Sequence, residues 1–239
     1  MHYDPSSRSR LSPQDLPRFA GSTLFDRIAR TLCRADCLPR KELFEAWEVA
    51  RRVRRRLRGG RVVDLACGHG LLGHLMLLLD DSSSAVLCAD TRLPASAHKV
   101  ATALVAEWPR LGGRVRLQEG DARDVELSPG DVVVSAHACG ALTDVILERA
   151  AAAAAGVAVL PCCHAHARSD TGSLEGWLDA ALAIDVTRAA RLAGRGYRVH
   201  TQQIPAAITP KRRLLLGAPA TPDAPPIPAG PRSTPSREG

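Results

Sequence analysis

Between residues 61 and 217 short apolar runs alternate with longer amphipathic ones. Arg61–Leu65, Ala85–Asp90, Arg114–Glu119, Asp131–Ser135 and Val157–Leu160 are four to six residues long and mostly rich in Val, Leu and Ala, as buried strands are. Leu71–Leu79, Ala95–Trp108, Leu142–Ala155 and Leu174–Ala193 fill the gaps and predict helices. Strand and helix in this alternation imply a parallel sheet covered on both faces. The last two strands, Tyr197–Gln203 and Arg213–Gly217, are separated only by residues 204–212, too few for a helical crossover. They predict an antiparallel pair. The expected fold class is α/β: a doubly wound, mostly parallel seven-stranded sheet with an antiparallel closing pair.

Residues 1–60 read as an N-terminal helical segment, loose over its first twenty residues, which are polar and hold three prolines. Its clearest helix is Lys41–Arg58. Leu43, Phe44, Trp47, Ala50, Val53 and Leu57 recur there at three- and four-residue steps and define one buried stripe. Glu42, Glu45 and Glu48 in its first half and arginines in its last turns complement the helix dipole. Residues 61–217 form the main domain. Residues 218–239, with seven of the seventeen prolines, predict a disordered tail.

Composition narrows the class. Hydrophobic residues make up 45% and charged residues 24%, a globular balance. No apolar segment at the start suggests a secretory signal, and no run is suited to spanning a bilayer. Seven cysteines, an odd number without framework spacing, fit reduced thiols, so a soluble cytoplasmic protein without membrane contact is expected. The net charge of +7 is local: residues 1–61 hold fifteen Arg or Lys against seven Asp or Glu, and the remainder is nearly neutral. Arginine outnumbers lysine 29 to 3, alongside abundant Ala, Gly and Pro, so arginine preference by itself is weak evidence of phosphate recognition.

The stretch Val62-Val63-Asp64-Leu65-Ala66-Cys67-Gly68-His69-Gly70-Leu71-Leu72-Gly73 runs a strand into glycines and then a helix, where backbone can approach a ligand and N–H groups point outward. Gly68-x-Gly70-x-x-Gly73 with Asp90 twenty residues past Gly70 also satisfies the dinucleotide fingerprint, so an NAD-dependent oxidoreductase is an alternative. Asp64 argues against it, since a carboxylate there repels a pyrophosphate and attracts an ammonium group. With the antiparallel closing pair, residues 60–217 resemble the class I S-adenosylmethionine-dependent methyltransferases, whose fold is Rossmann-like.

That resemblance implies S-adenosylmethionine as cofactor, its aminoacyl and ribose portions wrapped by Asp64, Ala66, Cys67, Gly68, His69 and Gly70. It implies ribose hydroxyls on Asp90, adenine beside Asp121 and Ala122, and His137 at the edge of the same site. Ala66 departs from the pattern, which often has glycine there.

Two further phrases carry histidine and cysteine at strand ends: His137-Ala138-Cys139-Gly140 followed by Thr143-Asp144, and Pro161-Cys162-Cys163-His164. They resemble a subgroup that includes the methyltransferase-like 25 proteins and relatives of a tRNA acceptor-stem 2′-O-methyltransferase. If strands one, four and five are neighbours about 5 Å apart, Cys67, His137, Cys139, Cys162, Cys163 and His164 converge beside the crevice. Three uses follow: Cys139, Cys162 and Cys163 packed around an acceptor pocket, His137 or His164 as general base, or a metal. Adjacent Cys162-Cys163 and His137-x-Cys139 lack the usual metal spacing, so no metal is expected. His69, His74, His98 and His200, taken singly, read as structural or solvated.

The acceptor is open. Arg51–Arg58 is the dense positive stretch and makes RNA the favoured partner. An aromatic content of only 3% offers no stacking platform, which keeps a small molecule or a protein side chain close behind. A non-catalytic cofactor-binding module is the remaining alternative.

Overall fold

The computed structural model describes residues 3–161, 163–164 and 169–220. Two helices, α1 (Leu24–Ala35) and α2 (Arg40–Arg54), precede β1 (Val62–Leu65). Then follow α3 (Leu71–Leu79), β2 (Val86–Asp90), α4 (Ala95–Glu107), β3 (Val115–Glu119), β4 (Val132–Ser135), α5 (Ala141–Ala152) and β5 (Gly156–Val159). The described chain closes with α6 (Ala180–Gly194), β6 (Tyr197–Gln203) and β7 (Arg213–Pro219).

The seven strands form one sheet in the order β3-β2-β1-β4-β5-β7-β6, with β1 to β5 parallel and β7 antiparallel to both its neighbours. The expected architecture is present. β1, β4 and β5 are buried at every position because helices cover both of their faces. Helices α1 to α4 share one buried cluster on one face, and α5 and α6 share the other.

Several sequence expectations are corrected. The start of the chain is packed rather than loose from residue 3 onward: Leu11 is fully buried and its N–H donates to Leu38 O at 2.8 Å. Pro13–Phe19 form a 3-10 turn, and Tyr3, Phe19, Phe25, Phe44 and Trp47 pack ring against ring at centroid distances of 5.2–6.2 Å. A chain poor in aromatics concentrates them here, and each buried ring is a large apolar payload. The core cluster runs without a break from Leu11 through β1, so residue 60 marks the start of the sheet, not of a separate core.

α2 stops at Arg54 rather than Arg58, because the chain turns there to bury Leu57 against Gly156 of β5. α6 begins at Ala180 rather than Leu174, where the Asp179 carboxylate accepts the Leu182 N–H at 3.0 Å. The tail expected to be disordered from residue 218 starts later, since Ala218 and Pro219 pair with β6 as the end of β7, and from residue 221 it lies outside the described residues. Among the described residues no helix is long and apolar enough to cross a membrane.

Candidate functional site

The glycine loop leaves the carboxyl end of β1. Asp64, in β1 between Cys88 and Val134 of the flanking strands, is buried and accepts the Gly73 N–H at 2.9 Å. Asp90, ending β2, accepts the Gly68 N–H at 2.8 Å. Two carboxylates therefore pin the loop from beneath. Gly73 is required by close approach: a Cβ there would lie 2.6 Å from Cys88 Sγ and 2.8 Å from Val86 Cγ2. Ala66, at the position often held by glycine, has φ +53°, a left-handed conformation that costs an L-residue about 1–2 kcal/mol.

Two recesses flank this loop, and Ala66 lines both. One, of about 130 Å³, is bordered by Asp90, Asp121, Ala122 and Leu142. Thr91 and Arg123, which pairs with Asp121 at 2.9 Å, complete its walls, and the Asp90 carboxylate with the apolar residues suits a ribose and a planar base. The other, of about 20 Å³, is bordered by Asp64, Cys67, His69, His137 and Glu42. The Asp64 carboxyl is pushed up to about 7, by burial first and by the nearby Asp90 charge, against the Gly73 N–H and His137. Its firm contact is the Gly73 N–H of the loop itself. Glu42, whose pKa is held below the ordinary glutamate value, carries negative charge in this recess: burial works upward and the hydrogen bond and charge of His137 outweigh it.

His137 and His164 part company. His137 Nε2 lies 3.0 Å from Glu42 Oε2, with 35% of its side chain exposed. Burial presses its pKa down, but the hydrogen bond and charge of Glu42, with Glu45 behind, carry it above the ordinary histidine value. His164 is 3% exposed and Nε2 lies 2.8 Å from Asp185 Oδ1 on α6. Asp185 also meets Arg213 at 2.6 Å and Arg188 at 3.4 Å, and Arg188 forks onto both oxygens of Asp144 at 2.7 and 2.8 Å.

This buried network explains the two phrases. Thr143 Oγ1 donates to Ala138 O at 2.8 Å, Arg188 donates to Gly140 O at 3.2 Å, and the Gly140 N–H donates to Cys163 O at 3.2 Å. The threonine, the aspartate and the backbone thus hold the two strand-end loops against each other.

The expected cysteine and histidine cluster is divided. Cys67 shares the small recess with His137. It is buried beside Cys88, whose thiol is raised well above its ordinary range by a hydrogen bond with Cys67 and by burial. Cys139 and Cys163 are exposed, and Cys162 lies outside the described residues. Among the described residues no three His, Cys, Asp or Glu side chains are placed to hold a metal ion. His69 Nδ1 lies 2.6 Å from Ser96 Oγ at the start of α4.

Residues 42–170 match a family described as a methyltransferase domain. The chain belongs to this family. Membership brings S-adenosylmethionine as the methyl donor and sets the oxidoreductase alternative aside; the two-carboxylate recess fits that group. No curated protein matches the sequence.

Among solved structures the fold is similar to an O-methyltransferase family protein from Burkholderia thailandensis. That chain is 22% identical, with a TM-score of 0.51, and the match covers 91% of the present chain and 66% of the other. The fold is also similar to the tRNA methyltransferase TrmK of B. subtilis, 15% identical with a TM-score of 0.49, over 72% and 65% of the two chains. The chain therefore spans just under two thirds of the length of these structures.

Sequence reasoning missed Glu42, Asp185, Arg188 and Arg213. Asp185 and Arg188 did leave a signal: they stand three apart in the otherwise mostly apolar run Ala180–Leu192. Glu42 left a weaker one. It sits in the first turn of the helix that returns along the sheet into β1.

Arg51–Arg58 is not one continuous surface. Arg54 is buried, donating to Met76 O at 2.9 Å and Ser83 Oγ at 2.8 Å and meeting Asp80 at 3.3 Å. Arg51 and Arg52 both pair with Glu48. Arg55, Arg56 and Arg58 are exposed.

Proposed function

We propose that this chain transfers the methyl group of S-adenosylmethionine to an RNA acceptor, with His137 as the base that takes the acceptor's proton. The observation that carries the reading is the half-buried His137, paired with Glu42, on the wall it shares with the glycine loop. Bound S-adenosylmethionine supplies an electrophilic methyl. Asp90 and Asp121 border the recess suited to its ribose and base, Asp64 and Gly73 keep the loop in shape, and Glu42 offers a negative charge to its ammonium group. His137 serves as base in its neutral form, oriented through Nε2 by Glu42. His164 is the weaker candidate because it is almost wholly buried and committed to Asp185.

A groove of about 520 Å³ favours a second reading, a small-molecule acceptor. It lies between α6 and β7, bordered by Pro161, Leu182, Asp185, Val186 and Leu215, on the His164 side.

The test is purified protein with labelled S-adenosylmethionine and fractionated cell extract. Label is expected in RNA and absent with His137→Ala. Label confined to small molecules favours the groove. S-adenosylhomocysteine is expected to raise the melting temperature, as a ligand of the native state does, and NAD is not.

A further inference from the structure

β6 is an edge strand, and its register fixes which residues share a face. Arg198, His200 and Gln202 stand opposite Ala218, Leu216 and Leu214 of β7, which pack into the core on the α2 side of the sheet. The same face receives the end of α2, where Arg52 Nε donates to Gln203 O at 3.1 Å. Where the two meet, Arg55, Arg56, His200, Thr201 and Gln202 line an open recess of about 360 Å³ with no carboxylate among its walls. Glu48, the nearest acid on α2, is taken up by Arg51 and Arg52. Arg55, Arg56 and Arg198 are exposed. The His200 imidazole is held below its ordinary value, by burial first and then by the charges of Arg56 and Arg198, as expected where cations gather without a counter-charge.

Sequence spacing alone groups Arg51 to Arg58, but the fold rearranges that set. It removes Arg54 to the interior, engages Arg51 and Arg52 with the one carboxylate of Glu48, and adds Arg198 and His200 from a strand about 140 residues later. Along α2 the recess is thirteen residues from Glu42, or about 20 Å at 1.5 Å per residue. A small acceptor at His137 does not bridge that distance. A nucleic-acid strand, advancing about 3.4 Å per step, covers it in about six.

We infer that the recess lined by Arg55, Arg56 and His200, with the exposed Arg198 beside it on the same face of β6, is a phosphate-binding site that anchors the backbone of an RNA acceptor about 20 Å from the methyl-transfer site. The inference rests on the RNA reading above. Its contacts are to phosphate, so it positions the strand without reading sequence.

The experiment measures binding of bulk tRNA to the full chain by fluorescence anisotropy over a salt series, for wild type and the triple variant Arg55→Gln, Arg56→Gln, Arg198→Gln. The variant is expected to bind about tenfold more weakly near 0.1 M salt and to flatten the log–log salt slope by about 2, because fewer counterions are released. Its melting temperature and S-adenosylhomocysteine affinity are expected to match wild type. Arg56→Gln alone, at an exposed position, is expected to weaken binding about threefold.

Unchanged tRNA affinity and slope in the variants, with label still entering RNA, overturns the recess and leaves the RNA reading standing. Label entering only small molecules, with no tRNA binding by wild type, overturns both. Binding to phosphatidylserine vesicles in preference to tRNA, lost in the triple variant, assigns the recess to a membrane surface and overturns it too.

Discussion

His137 follows β4 and His164 follows β5, two paired strands, yet the sheet holds them from opposite faces. Glu42 reaches His137 from α2, and Asp185 reaches His164 from α6. The first pair borders a recess and keeps a third of its histidine exposed. The second lies under two arginines and keeps almost none. The same residue type at corresponding strand ends thus has two different surroundings, and the partner from a distant helix decides which histidine is placed for chemistry. The difference is testable from both sides.

The largest expected effect is on rate. His137→Ala should lower kcat by about 10²–10⁴, the range for loss of a positioned general base, while unfolding stability shifts by less than about 1 kcal/mol. Because Glu42 raises the His137 pKa, the rate should rise with pH through a midpoint above about 6.5, and Glu42→Gln should move that midpoint down. Stability carries the opposite sign for the histidine. Its share of the pair is full below about 6.5 and is lost as pH rises through the raised value. The lowered Glu42 contributes above the ordinary carboxylate range and loses its share as pH falls through the depressed value. A rate that ignores His137, or an acid limb unmoved by Glu42→Gln, would remove the distinction between the two histidines.

On the other face the effect should be structural. Arg188→Met leaves Asp144 and Asp185 without their buried partner and should cost about 3–5 kcal/mol in urea unfolding. Both strand-end loops lose a tie at once, since Arg188 also holds Gly140 O. A loss below about 1 kcal/mol would mean that the network is solvated in the working protein, and would return His164 to candidacy as a base.

What was legible in the sequence follows from range. Strand and helix identities are set by local periodicity, and α3 and β6 coincide with the runs read from it. The loop carboxylates were legible because spacing alone brings Asp64 and Asp90 to adjacent strand ends. Glu42 was not, because it meets His137 across 95 residues of chain, and its place in a first helical turn has a sufficient local reason in the dipole. The packed start was hidden for the same reason. Tyr3 and Phe19 look isolated among prolines until Phe25, Phe44 and Trp47 surround them. In the second motif, Thr143 and Asp144 were visible as residues, but the fork from Arg188 that gives Asp144 its role belongs to a helix 44 residues on.

A smaller effect tests the cofactor side of the comparison. Asp90→Ala should weaken S-adenosylhomocysteine binding by about 1.5–3 kcal/mol, the range for a hydrogen bond to a charged group, when measured by calorimetry. Part of that loss should appear in the free protein, because Asp90 also holds the Gly68 N–H. An unchanged affinity would detach Asp90 from the ribose while leaving its grip on the loop.

The smallest effect concerns Ala66, the residue common to both recesses. At φ +53° its Cβ crowds its own backbone at a cost of about 1–2 kcal/mol, which glycine does not bear. Glycine also brings more unfolded-state freedom, worth about 0.5–1 kcal/mol in the opposite direction. The balance for Ala66→Gly is a gain of about 0–1.5 kcal/mol, visible as a rise of a few degrees in Tm. The Arg188 network touches neither side of this balance, so Arg188→Met should combine with Ala66→Gly additively, whereas His137 shares the small recess with Ala66 and its variants should couple to it. A loss of stability would show that the Ala66 methyl, lining both recesses, packs well enough to outweigh the strain. The alanine would then be a fitted part of the cradle, and S-adenosylhomocysteine affinity should fall with it.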